Sequence, residues 1–305
     1  MRHPKPSREQ QEEHLDWADF VRAKASLRLA DSGNGSMKET EKTLLRLKES
    51  SKIGALAAAE LAVLRRWENR FEEATAILDE AIKRGHDDPI IYQEKLAVKL
   101  VSGDKKGVEQ VAMKASDKTK KDLLGKVTDD TKDFAYVAAM GMLLTETGDW
   151  ERVSREFLQT DHVYTPYLAM MLYSRMTGKG KVEAEAKEVI ERRWALVAPK
   201  TWKARLSKGD ETAWREMLMG YYLEKQKVRL EGIFADLEDD ARFAKSDLRH
   251  LSMSRGGMLC QAYFYDALLE STKDPNKMNA SLEKTLNTNK RDYFEYAMAK
   301  FLLGR

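Results

Sequence analysis

The chain has 305 residues, of which 53 are Lys or Arg and 50 are Asp or Glu, so its formal net charge is +3. This near balance disfavours a nucleic-acid binder, which more often shows a basic excess or a basic stripe. Hydrophobic residues make up 42% of the chain, enough for a buried core, and no apolar run is long enough to predict a membrane span.

The single cysteine, Cys260, excludes an intrachain disulfide. It lies in the apolar stretch GMLCQAYFY, which predicts burial as a small hydrophobic residue. The N-terminal segment is polar and has no apolar signal core. We therefore expect a cytoplasmic protein, or a bacterial periplasmic or exported one if a signal peptide has been removed.

Two helices are predicted at the start of the chain, Ser7 to Ala30 and Met37 to Glu49, separated by the break DSGNGS at residues 31–36. The apolar stripe predicted for the first helix comprises Leu15, Phe20, Val21, Ala25 and Leu29. Residues 1–52 are expected to cap the first end of a helical array, or to leave the first helix as an arm.

Residues 53–198 contain a weakly repeated turn pattern. The turn of WENRFEEATAILDEAIKRGHDDP falls at Asn69, and that of VSGDKKGVEQVAMKAS falls 34 residues later at Gly103. A third copy, TGDWERVSREFLQT, places Gly148 in the turn, 45 residues after Gly103. Glycine permits the backbone that a tight turn between two helices requires. The spacing therefore predicts successive antiparallel helix pairs.

The copy around Gly148 is the most complete. Asp149 is predicted to cap the second helix by accepting hydrogen bonds from backbone N–H groups. Val153 is small, which suits a close helix crossing, and Phe157 is expected to fill the seam with the next pair. Because no single pair buries both of its faces, such pairs stack and share one core.

These residues resemble the tetratricopeptide repeat (TPR) family, over about residues 53–195 and more loosely over 255–303. The resemblance implies an all-α fold, a right-handed α-solenoid of stacked antiparallel helix pairs with about 14–16 helices. It also implies a concave groove lined by the inner helices. The side chains expected to project into that groove are Ala59, Val63, Arg66, Gln93, Ala97 and Leu100.

Residues 199–305 are expected to hold two or three divergent helices, then a C-terminal repeat and a capping helix. Gly209 and Asp210 are predicted to end one helix and begin the next. The repeat returns with a turn at Asp274-Pro275, where Pro275 suits a loop or the first turn of a helix. A closing helix is predicted from Asp292 to Leu303.

Clustered aromatic residues are the most suggestive feature of this last segment. Successive helical residues point about 100° apart, so adjacent aromatics cannot all face the core. Exposed tyrosines often anchor interfaces, although they also occupy the edges of cores. The tyrosines predicted on this basis to contact a partner are Tyr221, Tyr222, Tyr263 and Tyr265.

No catalytic, metal-binding or cofactor-binding residue is predicted. The five histidines are scattered, and His86 and His162 are expected to be structural or solvated. The glycine-rich GKGK at residues 178–181 follows a helix, whereas a phosphate loop follows a strand. The acidic residues between Asp236 and Asp240 are expected to form a solvated helix end.

The sequence therefore favours a non-catalytic scaffold or adaptor that binds a protein or peptide on a helical-repeat surface, with homo-oligomer formation as a possibility. No nucleic acid, membrane span or cofactor is expected. Two alternatives stay open at this point. One is a regulatory helical-repeat module that binds nucleic acid or a signalling peptide, and the other is an α-solenoid enzyme with convergent acids in a pocket.

Overall fold

A computed structural model describes residues 8–30, 37–122, 129–160, 162–175, 181–195, 202–223, 227–250, 253–271 and 273–304. Within these ranges the chain forms 17 α-helices and no β-strand. The all-α prediction is confirmed, the described residues hold more α-helices than the 14–16 predicted, and the handedness of the array stays a prediction. The predicted break at residues 31–36 and the glycines of GKGK lie outside the described residues.

The chain divides into two compact units, Met1–Ser102 and Gly103–Arg305, here called the N-terminal unit and the C-terminal unit. The helices of the N-terminal unit are α1 (Arg8–Ala30), α2 (Met37–Leu47), α3 (Gly54–Trp67), α4 (Phe71–Lys83) and α5 (Pro89–Val101). The helices of the C-terminal unit are α6 (Lys105–Asp122), α7 (Asp129–Thr145), α8 (Trp150–Leu158), α9 (Thr165–Arg175), α10 (Lys181–Ala195), α11 (Trp202–Leu206), α12 (Glu211–Tyr222), α13 (Lys227–Glu238), α14 (Asp240–Phe243), α15 (Arg255–Glu270), α16 (Pro275–Asn287) and α17 (Phe294–Leu302). The predicted domain boundaries at residues 52 and 198 stay a prediction.

In the N-terminal unit, α3 packs against α4 and both pack against α5, as successive helix pairs do. The first helix, α1, packs on α2 and α3 and contributes to their shared core. This placement agrees with a cap and not with a free arm. The residues of that core are Phe20, Ala23, Leu27, Leu44, Leu47, Ile53, Ala57, Leu61 and Leu64.

The apolar stripe predicted for α1 is wrong. Phe20, Ala23 and Leu27 face the core, at spacings of three and four residues. In contrast, Leu15 and Val21 leave 66% and 60% of their surface exposed. The prediction combined two rows because Leu15 and Phe20 are five residues apart, which places them on different sides of a helix.

The three predicted turn positions share one backbone conformation. The φ angles of Asn69, Gly103 and Gly148 are 58°, 70° and 61°, in the left-handed region. Asn69 and Gly103 each lie two residues after the last residue of a helix, whereas at the end of α7 it is Glu146 that turns left-handed, with a φ of 55°, and Gly148 lies two residues further on. Asp149 does occupy the N-cap position of α8, but its carboxylate accepts from Arg152 Nε at 2.7 Å and bonds no backbone N–H. The predicted capping hydrogen bond is therefore wrong.

In the C-terminal unit, α7 with α8 and α9 with α10 form helix pairs, and α7 packs against α9. Helix α9 also packs against α15, which follows about eighty residues later. Helices α11 to α14 thus form an excursion from the repeat, and α12 returns to pack against α9, α10 and α15. The described part of residues 199–254 holds four α-helices, two of them short, and a 3-10 helix at Asp247–His250, where two or three helices were predicted. Their divergence from the repeat stays a prediction.

The predicted helix boundaries in this unit also hold. Gly209 adopts a φ of 78°, and Asp210 accepts a hydrogen bond from the Thr212 N–H at 2.9 Å at the start of α12. Pro275 begins α16, and Asp274 caps that helix by accepting from the Asn276 N–H at 3.0 Å. Helix α17 closes the described chain and packs on α15 and α16.

Candidate interaction surfaces

Arg66 on α3 does not project into solvent. Its guanidinium donates to Glu94 on α5 at 2.7 Å from Nε and at 3.1 Å from one terminal nitrogen. The two side chains are 2% and 10% exposed. A bidentate pair of this kind fixes both distance and orientation between the helices. Arg66 therefore holds α3 against α5 and presents little surface to a partner.

The other predicted groove residues divide by burial. Val63 and Gln93 are partly exposed. Ala59, Ala97 and Leu100 are buried in the core. The reason is that α3 and α5 pack directly on each other, so small and apolar positions along them close the contact between the two helices. Partner contact by this set stays a prediction, and in this structure only Val63 and Gln93 offer side-chain surface for it.

Two of the four predicted tyrosines lie in the core of the C-terminal unit. Tyr222 donates its hydroxyl to the Tyr265 carbonyl at 3.0 Å and accepts from Ser174 Oγ at 3.1 Å. The Tyr265 ring stacks against Tyr167, with ring centroids 5.7 Å apart. Burial raises the pKa of both Tyr222 and Tyr265 well above its usual value. These rings join α9, α12 and α15 and are not surface anchors.

The other two tyrosines lie at the edge of the core. Tyr221 is partly exposed and donates its hydroxyl to Asp266. Tyr263 donates to Glu238, and its ring stacks on Phe234 at 5.6 Å between centroids. Both hydroxyls thus already bond to carboxylates of the same unit. This placement corresponds to the core-edge alternative, and a further role in partner contact stays a prediction.

A buried polar chain that the sequence did not indicate connects α12, α15 and α17. Trp214 Nε1 donates to Gln261 Oε1 at 2.9 Å, and Gln261 Nε2 donates to Glu295 Oε1 at 3.1 Å. Burial raises the pKa of Glu295 from 4.5 to about 7, and among the described residues no Lys or Arg pairs with it. The one signal was an acid in the first turn of the mostly apolar FEYAMAKFL. Trp214, Gln261 and Glu295 are each buried, so the chain is internal to the unit.

The reactive side chains that the sequence offered are also internal. His162 Nε2 lies 3.2 Å from Asp133 Oδ1, and its Nδ1 accepts from the Tyr164 N–H at 3.4 Å. His162 is therefore structural, as predicted. Cys260 is fully buried, and burial raises the pKa of its thiol well above the usual value, which confirms its prediction. Among the residues in the described ranges, no group of three or more His, Cys, Asp or Glu is placed to hold a metal ion.

The clearest apolar surface is the side of α1 that faces away from the core. Leu15, Val21 and Trp17 are 66%, 60% and 42% exposed, and they are three of the seven large hydrophobic residues exposed in the described chain. Ala18 and Ala25 are exposed on the same side. Trp17 lies at the far edge of this side, since it follows Leu15 by two residues and so by about 200° around the helix, and the exposed Arg22 lies among the apolar residues. We call Leu15, Ala18, Val21 and Ala25 the outward face of α1. Exposed apolar residues grouped on one side of a positioned helix mark a contact surface more often than single ones do.

Charged contacts hold α1 in place from its other side. Arg46 on α2 donates to Asp16 at 2.8 Å and to Asp19 at 2.5 Å. Lys24 pairs with Glu60 on α3 at 2.6 Å. Together with the buried row, these contacts fix the orientation of α1. The outward face is therefore presented by a positioned helix.

Comparison with known proteins does not assign the chain to a family. No protein-family model matches the chain, and no curated protein sequence matches it. The tetratricopeptide resemblance thus stays a prediction. Within the described part of the chain, no helix has both the length and the apolar character that crossing a membrane would require.

Proposed function

We propose that the chain is a non-catalytic protein-interaction module of the tetratricopeptide-like type, and that the outward face of α1 is its contact surface. The observation that carries this proposal is the exposure of Leu15, Val21 and Trp17 on a helix whose opposite side is already buried. The proposal places the protein in the cytoplasm, or in a bacterial periplasm if a signal has been removed.

The energetic argument rests on area and preorganisation. Burying a Leu or Val side chain fully contributes roughly 1.5–3 kcal/mol, so even partial burial of this face is favourable. The side chains stand on a helix that packing and ion pairs already hold, and binding therefore orders little additional backbone. A Trp at the edge of such a face is a frequent anchor of protein interfaces.

The test is capture of partners from cells that express the natural protein. Purified wild-type chain is compared with Leu15→Glu/Val21→Glu, which places two carboxylates in the face. Met113→Glu is the matched control, because Met113 on α6 is 59% exposed but does not belong to the face. Circular dichroism and thermal unfolding of all three proteins show whether the fold is retained.

We expect the wild type and Met113→Glu to retain the same polypeptides and the double variant to lose them. Retention of the same polypeptides by all three proteins would exclude the outward face as the contact surface. Absence of any specific polypeptide with the wild type would count against the interaction function itself.

A further inference from the structure

We propose that helix α17 is a pH-sensitive cap, which covers the start of α15 while the buried Glu295 side chain is neutral and is released when that side chain ionises. This contact lies within the C-terminal unit, so the inference does not depend on the outward face of α1. It adds to the proposed function a conformational change that pH controls.

The segment that leads into α17 lies directly on the first turn of α15. A Cβ on Gly257 would overlap the Tyr293 hydroxyl, and one on Gly256 would lie 2.5 Å from Lys290 Cε. The two glycines therefore leave the space that this segment fills. Beyond it, α17 packs on α15 and α16. The start of α15 is thus covered by a segment that a movement of α17 would carry away.

Glu295, in the first turn of α17, lies close to tyrosines of three other helices. Burial, and after it the Glu295 carboxylate, raises the pKa of Tyr136 on α7 and of Tyr265 on α15 well above the usual value. Burial also raises the pKa of Tyr167 on α9, the Arg215 guanidinium over its ring lowers it, and Glu295 raises it. The carboxyl therefore inserts from α17 into the contact of α7, α9 and α15.

The groups around this carboxyl do little to stabilise a negative charge. Gln261 Nε2 donates to it at 3.1 Å, and no Lys or Arg in the described part of the chain pairs with it. Asp292 is the one described charged side chain that shifts its pKa, and it does so upward. Burial has the largest effect and raises the pKa to about 7. An ionised carboxylate in this place lacks both water and a cation, so ionisation favours any movement that hydrates it.

Movement of α17 hydrates the carboxyl with the smallest rearrangement. Helix α15, which carries Gln261, also packs on α9, α12 and α13, whereas the main contacts of α17 are with α15 and α16. A helix of nine residues has little stability of its own, so nothing within α17 resists its release. Local opening of one element costs less free energy than unfolding of the whole unit. We therefore expect α17 to leave while the rest of the C-terminal unit stays packed.

Release of α17 would uncover Cys260, the single cysteine of the chain. The Cys260 side chain is fully buried on α15. Burial and then Glu295 raise the pKa of its thiol, and a hydrogen bond with Thr288 lowers it. The thiol therefore faces the segment that runs from Thr288 into α17. Its reactivity reports whether that segment is in place.

The pKa of Glu295 in the two states sets the size of the expected change. It is about 7 with α17 packed and 4.5 in water. Because packing raises this pKa, the neutral carboxyl stabilises the packed state fully below 4.5 and ceases to do so as pH rises through 7. The ratio of released to packed chains should therefore rise about 70-fold between about pH 5 and about pH 8.

Modification of the native thiol tests this change. The intact chain is treated with a pyridyl disulfide reagent, and its rate is divided by that of the denatured chain at the same pH, which removes the ionisation of the thiol itself. We expect this ratio to rise about 70-fold from about pH 5 to about pH 8 in the wild type, and by less than about threefold in Glu295→Gln. Glu211→Gln, the same substitution at an exposed position, should follow the wild type.

Hydrogen exchange of the wild type, which needs no variant, shows which part opens. Over the same pH range, peptides from α17 should lose protection by the same factor, after correction for the intrinsic exchange rate. Peptides from α7 and α9 should keep theirs. Circular dichroism at about pH 5 shows whether Glu295→Gln keeps the fold.

Two results would overturn the inference. The first is a Cys260 ratio that does not change with pH in the wild type, or that rises equally in a folded Glu295→Gln. The second is an equal loss of exchange protection in α7, α9 and α17, because the whole unit would then open together. Either result leaves the outward face of α1 untouched, since capture through that face is measured separately.

Discussion

The two units hold their helices together by different chemistry. In the N-terminal unit, ion pairs cross between neighbouring helices, from Arg46 to Asp16, from Arg65 to Glu41 and from Arg66 to Glu94. Ion pairs also cross between helices of the C-terminal unit, as from Arg155 to Glu185. Its seam of α9, α12, α15 and α17 is instead built from hydrogen bonds and aromatic rings around one buried carboxyl, with the Arg215 guanidinium over the Tyr167 ring. The buried carboxylate of Glu94 is thus met by a cation, whereas the buried carboxyl of Glu295 accepts from a neutral amide.

This difference means that the units should respond to different perturbations. Removing one member of a buried ion pair lowers the stability of the fold, because the remaining charge stays buried without its partner. A buried carboxyl without a cation destabilises the fold when the pH rises far enough for the carboxyl to ionise.

Removing one member of the buried pair should destabilise the N-terminal unit most. Arg66→Leu removes the guanidinium that forms two hydrogen bonds with the buried Glu94 carboxylate, and we expect a loss of about 3–5 kcal/mol in the free energy of unfolding, measured by denaturant titration. The control is Arg66→Leu/Glu94→Leu, which removes both charges and should recover most of the loss. A single variant as stable as the wild type would show that the pair does not hold α3 to α5.

Glu295 should make the stability of the C-terminal unit depend on pH. Its pKa is about 7 in the folded chain against 4.5 in the unfolded one, so folding favours the protonated carboxyl. The contribution is complete below about pH 4.5 and is lost as pH rises to about 7, which amounts to about 3 kcal/mol. Glu295→Gln should gain by that amount over the wild type between about pH 4.5 and pH 8.

Thermal unfolding at several pH values measures this gain. The control is Glu211→Gln, which makes the same substitution at an exposed position at the start of α12. If the stabilities of the wild type and Glu295→Gln change with pH in parallel, ionisation of Glu295 does not destabilise the fold and the prediction is wrong.

Adding a methyl group where α12 packs closely against Trp194 should lower the free energy of unfolding by a smaller amount. A Cβ on Gly220 would lie 2.5 Å from Cη2 of Trp194, whose rigid ring packs on α12. We expect Gly220→Ala to cost about 1–3 kcal/mol of unfolding free energy. Gly232→Ala is the matched control on α13, where nothing lies within 4 Å of the added Cβ and helix propensity should instead stabilise by about 0.5–1 kcal/mol. Equal effects at the two sites would contradict the packing argument.

The outward face of α1 should matter least for stability. Leu15 and Val21 make little contact within the N-terminal unit, so Leu15→Glu and Val21→Glu should each change the unfolding free energy by less than about 0.5 kcal/mol at low protein concentration. The midpoint of thermal unfolding measures this. A large loss from either variant would place these side chains in the core and remove the basis for a contact surface there.

Features that depend on neighbouring residues were predicted well from the sequence, and features that depend on residues far apart in the chain were not. Turn residues were predicted well, because the backbone conformation at Asn69, Gly103 and Gly148 depends on local sterics. The facing of α1 was predicted wrongly, because Leu15, Phe20 and Val21 are equally apolar and only the packing partner distinguishes them. Burial of Arg66 and Leu100 was missed for a related reason, since the groove assignment assumed the spacing of a regular repeat.

The sequence by itself determined the all-α character, most helix boundaries and the turn conformations, because these depend on propensity, periodicity and steric limits within a few residues. Only the tertiary structure decided that Arg66 pairs with Glu94, that Glu295 is buried beside Gln261, and that α9 packs on α15 across the intervening excursion. Those contacts join residues far apart in the chain, where no local pattern records which side chains will meet. The same is true of the face that α1 leaves uncovered.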